Sequence, residues 1–348
     1  MLTTPVIRAI RRARPSARLS YLVEPQAAPV VMANPHLDDV IVTPLLRGPA
    51  RLREDAAVAL RLRRARYDAV IDFHGGPRSS LFAFASGARR RIGYTIAGRS
   101  WMYTTRVPRP RGYRPRHSVE NQWDLAEALL PELGRPTRET DPVEMREDPA
   151  AGGRVGRRLD ALGIGPGHEL VVVHVGAGNE FRRWPEPAFA EVVASLASER
   201  PNRRIILTTG PAQASRADEV RRLALARGAS PDAVAAVCDL GLDELRGLVA
   251  RAQLFLGGDS GPAHVAATTA TPMVVLFGPT TPEVWGPWRS PGAATALVDA
   301  GSLPCRPCDQ RVCEPGDFRC LRGIDAATVA AAARRVMAPG GQTGAESV

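Results

Sequence analysis

The chain has no lysine: all 46 of its basic side chains are arginine, set against 36 acidic ones for a formal charge of +10. With lysine absent throughout, the number of arginines says less than their location. Residues 1–140 hold 24 arginines and 12 acids, whereas residues 141–348 hold 22 and 24. The excess positive charge therefore belongs to the N-terminal part alone, and it points to an anionic partner: nucleic acid, an acidic membrane surface or a phosphorylated substrate. The plain alternative is a solvated basic face with no partner. Also missing is any apolar run of about eighteen residues, which excludes a predicted membrane-spanning helix. No charged-then-apolar leader pattern opens the chain, so a cytoplasmic location is expected. No internal repeat, coiled-coil heptad or nucleic-acid module pattern is visible, and the last of these disfavours the RNA reading of the basic half.

What is present is a rhythm of short apolar runs ending in glycine turns. At 348 residues and 44% hydrophobic composition, the chain is long enough for two domains, each with its own core. Alternating strand and helix patterns imply an α/β class with parallel sheets. Expected elements in the first half are a strand at Tyr67–Phe73, a helix from Ser79 to Ser86, a strand at Arg90–Tyr94 and a helix over His117–Leu130. A polar, proline-containing stretch sets the boundaries at residues 1–140, a linker at 141–153, a second domain at 154–337 and a disordered tail at 338–348. The second domain is expected to hold strands at Leu170–His174, Arg204–Thr208, Leu254–Leu256 and Thr271–Phe277. Helices are expected at Pro187–Ala197, Ala212–Ala226, Leu242–Arg251 and Ala326–Met337.

The most informative segment is Leu254-Phe255-Leu256-Gly257-Gly258-Asp259-Ser260-Gly261-Pro262-Ala263-His264. It reads as a buried strand, a glycine turn and a helix start capped by Asp259 or Ser260, a place where free backbone N–H groups and a partial positive charge favour an anion. Thr271 to Thr280 is a second buried strand with a Gly-Pro-Thr end, and His174-Val175-Gly176-Ala177-Gly178-Asn179 is a third, followed by Arg182-Arg183-Trp184-Pro185. Leu207-Thr208-Thr209-Gly210-Pro211 adds a fourth turn. Parallel sheets bind ligands at such strand ends, and Arg182 or Arg183 supplies the fixed charge that a diphosphate leaving group needs.

These motifs in this order closely resemble those of glycosyltransferase family 9, the ADP-heptose:lipopolysaccharide heptosyltransferases, nearest to the heptosyltransferase II type. Asp72-Phe73-His74-Gly75-Gly76-Pro77-Arg78-Ser79, with Arg91-Ile92-Gly93-Tyr94, is similar to the family's acceptor-domain motif. The resemblance implies a GT-B fold, two Rossmann-like domains facing across a cleft. It implies inverting transfer of heptose from an ADP-heptose donor to the lipopolysaccharide inner core, with no cofactor or catalytic metal required. By position it places Gly178, Arg182, Gln213, Asp259, Ser260, Gly261, Pro262 and His264 at the donor, with Arg182 as the catalytic cation, and His74, Gly75 and Arg78 at the acceptor. Gln213 stands where family members tend to carry an acid. The implied partners are the nucleotide sugar and a phosphorylated acceptor at the inner leaflet, with peripheral membrane contact, no nucleic acid and a monomeric state.

Two features stand apart. Met1-Leu2-Thr3-Thr4-Pro5 resembles the family from just downstream of its general-base Asp, which implies that this N-terminal domain lacks its first strand and the turn bearing that base. Asp38, Asp39, Asp72 and His74 are the nearby substitutes, and each has a simpler structural role. A noncatalytic nucleotide-sugar or glycolipid binder therefore stands beside a family 9 enzyme using another nucleotide sugar as an alternative. Separately, Cys305, Cys308, Cys313 and Cys320 form C-x2-C-x4-C-x6-C, compact enough for a structural zinc, with reduced thiols or redox pairing as the other outcomes. Acceptor contacts are expected among Arg89–Arg91, Arg99, Arg106, Arg109, Arg111, Arg114 and Arg116, interleaved with Tyr94, Trp101, Tyr103 and Tyr113.

Overall fold

A computed structural model of the chain describes residues 1–109, 116–338, 340 and 344–347. Arg111, Tyr113 and Arg114, expected above at the acceptor, lie outside the described residues. The chain divides into two units, Met1–Arg146 and Glu147–Val348. The division falls inside the expected linker, but the later part of that stretch is not linker. Pro149–Ala161 is a helix whose N-cap, Asp148, accepts a hydrogen bond from the Ala150 N–H at 2.9 Å. Proline in the first turn gives up an N–H that has no helical partner, so a segment read as a breaker starts a helix instead.

In the first unit, β1 (Ser20–Val23) pairs in parallel with β2 (Asp39–Val42), and β3 (Ala69–Asp72), β4 (Arg90–Tyr94) and β5 (Thr105–Val107) form a separate parallel sheet. Ile71 stands beside Ile92 in that register. Helix Thr4–Ala13 packs Val6 and Ala9 against Trp123 and Ala126 of helix Ser118–Glu127. Helices Gly48–Ala65 and Pro77–Ala85 contribute Val58, Leu62 and Phe82 to a cluster with Ile41. Arg8 bonds Glu144 and the Pro142 carbonyl, tying that first helix to the end of the unit.

Asp72 organises the turn after β3. One carboxylate oxygen accepts from the backbone N–H groups of His74 and Gly75 at 3.0 and 2.9 Å, and the other from the Tyr103 hydroxyl at 2.6 Å. The Tyr103 ring covers Gly93, where a Cβ would meet ring carbons at 2.4 Å. Burial and the Asp72 carboxylate push the Tyr103 phenol well above its ordinary range. Tyr103→Phe removes a buried donor from this carboxylate and should cost about 1–3 kcal/mol, read as a shift of the urea midpoint at unchanged slope. A midpoint equal to that of the parent would show that Ser80, 3.5 Å from the same oxygen, takes over the bond.

The second unit holds one parallel sheet: β6 (Glu169–His174), β7 (Arg203–Thr208), β8 (Val234–Val237), β9 (Leu254–Gly258), β10 (Met273–Phe277), β11 (Thr295–Asp299) and β12 (Gly344–Ser347). Their spatial order is β12-β11-β10-β9-β6-β7-β8. Helices Glu186–Glu199, Ala214–Ala226 and Ala326–Met337 cover one face with Phe189, Val193, Leu196, Val220, Val329 and Val336. β12 corrects the expected disordered tail. Gly344–Ser347 pairs in parallel with β11 along the edge of the sheet.

The strand order decides where a ligand sits. β6, β7 and β8 run outward in one direction, then the chain returns to set β9 beside β6 and builds β10 and β11 the other way. The two crossovers leave the C-terminal ends of β6 and β9 diverging, the topological switch point at which open parallel sheets bind ligands. The two glycine turns singled out in the sequence sit at those two ends.

Candidate active site

At the end of β6, Gly176 lies in a tight space: a Cβ there would approach the His174 ring and the Gln213 amide at 3.2 Å and the Thr209 backbone at 3.4 Å. Past Gly178, which is exposed, the Asn179 side chain accepts from the Phe181 N–H at 3.0 Å and caps the short turn Glu180–Arg182. Trp184 is then fully buried, edge-on to Phe189, with its indole N–H donating to the Ile324 carbonyl at 3.2 Å. A buried Trp placed next to two arginines fixes the backbone that projects them. Arg183 turns back on the Ala177 carbonyl, while Arg182 points to the next strand end.

That strand end is β9. Gly258 lies against the Arg182 carbonyl, 3.3 Å from where a Cβ would stand, so the two loops touch through backbone. Asp259 follows, 3% exposed, and one of its oxygens accepts from the Thr280 hydroxyl at 2.7 Å and from Arg182 Nη1 at 3.3 Å. Burial pushes the Asp259 carboxyl upward, against the lowering effects of Thr280 and Arg182. The arrangement is a positioning device: a buried carboxylate steadies a guanidinium whose side chain is 27% exposed. Arg182 Nε also donates to the Gln310 side chain at 2.7 Å, which accepts from Asn179 as well.

Ser260 is extended, with its hydroxyl turned back to the Gly258 carbonyl at 3.1 Å, so neither it nor Asp259 makes the expected side-chain cap on helix Gly261–Ala266. The helix N-terminus stays open, with Ser260, Gly261 and Pro262 at the surface of the turn and His264 buried behind it. Gln213 uses both ends of its amide on Ala177, accepting from that N–H at 3.1 Å and donating to that carbonyl at 2.9 Å.

The structure therefore brings Arg182 and Asp259 into contact and sets Ser260–Pro262 directly after them. It gives Gln213 a loop-binding task, and it places Asp259 too deep to offer an open carboxylate. Three participants were not singled out in the sequence. Gln310 reaches Arg182 from a loop about 130 positions away and holds a positive φ of 60°. Arg306 bonds the Thr280 carbonyl at 3.0 Å and pairs with Asp299 at 2.8 Å. Thr209, 5% exposed, keeps a buried hydroxyl with no partner among the described residues. Only an unsatisfied buried hydroxyl at a strand end marks Thr209, and that mark exists only in three dimensions. Gln310→Ala should loosen Arg182 and weaken the binding of a diphosphate at this strand end several-fold, measured by calorimetric titration with pyrophosphate.

The loop bearing Gln310 also carries the four clustered cysteines. All are partly buried thiols, and among the described residues no three Cys, His, Asp or Glu side chains converge as a metal requires. They do not fit the structural zinc that the spacing allowed as one outcome. The loop is held instead by its docking on the strand ends, through Arg306 and the Cys308 N–H on the Pro279 carbonyl.

In the first unit, His74 is exposed, whereas Gly75 is buried with φ +71° under Ile96. Arg78 is engaged within its own unit, bonded to Asp55 at 2.5 Å and to the Pro44 carbonyl at 3.1 Å, with Phe82 beneath its guanidinium. The acceptor role expected for Arg78 thus competes with an internal ion pair. Asp38 accepts from the Leu19 N–H and Arg11, and Asp39 pairs with Arg61, so neither stands as an unoccupied carboxylate.

A parallel sheet with an arginine, a steadying carboxylate and an open helix start at its switch point belongs to the α/β enzymes that hold anionic ligands. Residues 56–316 match the glycosyltransferase family 9 (heptosyltransferase) model, and the chain belongs to that family. It is 28% identical over 320 residues to a lipopolysaccharide heptosyltransferase 3 of Escherichia coli, covering 89% of this chain and 88% of the relative. Among solved structures, a family 9 glycosyl transferase of Veillonella parvula DSM 2008 superposes with a TM-score of 0.77 at 22% identity, over 97% of this chain and 92% of that one. The E. coli ADP-heptose lipopolysaccharide heptosyltransferase II gives 0.74 at 17% identity, over 97% and 94%. The α/β class and its parallel sheets are thus those of the GT-B heptosyltransferases, and the protein is a glycosyltransferase.

Proposed function

We propose that the protein is an inverting heptosyltransferase that moves heptose from ADP-heptose to a phosphorylated sugar of the lipopolysaccharide inner core. The observation that carries this is the Arg182–Asp259–Thr280 contact at the switch point, beside the backbone N–H groups of Ser260 and Gly261. Transfer leaves negative charge on the departing ADP and positive character on the sugar. A cation held in place before the reaction, together with N–H groups at a helix start, stabilises that charge more in the transition state than in the ground state. Thr209 is suited to a further hydrogen bond from the neighbouring strand end. The E. coli relatives named for lipopolysaccharide and ADP-heptose support the choice of acceptor and donor.

The acceptor side fits an anionic membrane surface. Leu52, Leu60, Leu81, Phe84 and Trp101 are exposed on helices Gly48–Ala65 and Pro77–Ala85 and the adjoining turn, with Phe84 edge-on to Trp101 at 5.1 Å. Arg51, Arg53, Arg61, Arg63 and Arg64 stand on the first of these helices. Apolar side chains among guanidiniums suit peripheral contact with anionic lipid. One observation favours testing a second donor: the Gln213 amide, at the place where family members tend to carry an acid, is committed to Ala177. The test is thermal-shift titration with ADP, UDP and GDP, followed by transfer assays with the matching sugars. Preferential stabilisation by ADP and heptosyl transfer from ADP-heptose are expected, whereas a preference for UDP or GDP would replace heptose by another sugar.

A further inference from the structure

Arg182 is carried by a loop that leaves β6 at Val175 and ends at Trp184, just before helix Glu186–Glu199. Its short turn, Glu180–Arg182, is held locally, with the Arg182 and Arg183 N–H groups donating to the Asn179 and Glu180 carbonyls at 3.1 and 3.0 Å. Local bonds of this kind do not fix the distance between the two ends of a loop, and a loop with loosely held ends samples many placements of its tip. The Arg182 guanidinium is steadied at its far end by Asp259 and Gln310. What steadies its base is a separate question.

The ends of the loop are joined by a side chain from outside it. Arg216, in the first turn of helix Ala214–Ala226, donates from Nε to the Val175 carbonyl at 3.4 Å and from Nη2 to the Trp184 carbonyl at 3.2 Å. Its third nitrogen, Nη1, pairs with Glu186 at 2.5 Å. A guanidinium holds its nitrogens in one rigid plane, so the three partners are set relative to one another as three separate donors could not set them. The side chain is only 17% exposed, which makes this an internal tie rather than a surface ion pair. Burial lowers the Arg216 pKa, as does neighbouring Arg183, and Glu186 opposes both. Desolvating a guanidinium is costly unless its bonds offset the loss, and here two of those bonds go to the first and last carbonyls of the loop that carries Arg182. Arg183 braces the same loop from inside, with Nε on the Ala177 carbonyl at 3.3 Å.

We propose that Arg216 is a positioning residue: it closes the loop over residues 176–183 into a ring and so sets Arg182 to receive a diphosphate that Arg216 itself does not touch. This rests on the reading of Arg182 as the cation that holds the donor diphosphate. Arg216→Met keeps the apolar stem and removes the tie. Arg216→Lys keeps the charge beside Glu186 but cannot span both carbonyls.

The test is calorimetric titration with pyrophosphate, in the parent and in an Arg182→Ala background. Both Arg216 variants should bind about fivefold to tenfold more weakly than the parent, the effect of losing hydrogen bonds made by a charged group. With Arg182 already removed, Arg216→Met should add less than about twofold, because the group through which it acts is gone. Amide exchange should quicken at residues 177–183 in both variants while Val171, Val172 and Val173 of β6 keep the protection they have in the parent. Arg216→Lys decides the matter if the methionine variant does not fold. A lysine variant that binds like the parent would show that charge alone suffices, and equal losses with and without Arg182 would show that Arg216 meets the ligand directly; either overturns the proposal. Arg182→Ala binding pyrophosphate as tightly as the parent would overturn the donor reading, and the proposal with it, whereas a weakened Arg182→Ala beside unaffected Arg216 variants overturns the proposal alone.

Discussion

Replacing Arg182 by alanine should lower transfer from the nucleotide sugar about 10²–10³-fold in kcat, the usual effect of removing one preorganised group from developing charge. The guanidinium is held by Gln310 at 2.7 Å and by buried Asp259 at 3.3 Å, so its position is set before a donor arrives. Truncation also leaves Asp259 with only the Thr280 hydroxyl to offset its burial, and the carboxyl moves further upward. Arg182→Lys should recover little, because one ammonium cannot meet Gln310, Asp259 and a diphosphate together as a planar fork can. Steady-state rates of nucleotide release for both variants provide the check. An alanine variant within threefold of the parent would remove Arg182 from the chemistry, even if nucleotide binding weakened.

The second large effect is on stability in acid. His174, at the end of β6, is buried and shares a 3.0 Å hydrogen bond with Thr208, and burial lowers its pKa to about 4. The unfolded chain takes up a proton near the ordinary histidine value of 6.5, so between pH 6.5 and 4 the unfolded state binds more protons than the folded one. Stability therefore falls as pH falls through that window and this contribution levels off below pH 4, with a loss of at most about 3 kcal/mol. His174→Gln should flatten that limb. Urea titrations at pH 7 and pH 4.5 for both proteins give the difference directly; parallel losses would assign the acid sensitivity to carboxylates instead.

The second unit was legible because its signals were local. Val171–Val173, Leu254–Leu256 and Val274–Phe277 are uninterrupted apolar runs, the last two closed directly by glycine, and interior parallel strands bury both faces. Helix Ala326–Met337 was readable to the residue. The first unit hid more. Helix Gly48–Ala65 buries only Val58 and Leu62 of its 18 residues, so it carries no apolar stripe, and β1 and β2 are four residues each without clean alternation. β8 is Val-Ala-Ala-Val, too bland to separate from a helix by pattern.

The site divided in the same way. Glycine turns and the Arg-Arg-Trp-Pro run announced Arg182, Asp259 and Ser260. Nothing periodic announced Gln310 or Arg306, whose partners are set by how a loop without strands or long helices lies across the sheet. The cysteine spacing left zinc, reduced thiols and redox pairing all open, because spacing alone carries no information on where thiols face. Asp72 was read as part of the loop's structure, and its four acceptor contacts give that reading its physical content.

Gln213 grips Ala177 by both its N–H and its carbonyl, so the turn after β6 and the segment after β7 are clasped like the two halves of a hinge plate. Neither half can shift alone. A change in the Gly210–Gln213 segment will be transmitted through Ala177 to Gly178 and the Arg182 backbone, so the span between those two loops is a fixed gauge at the switch point.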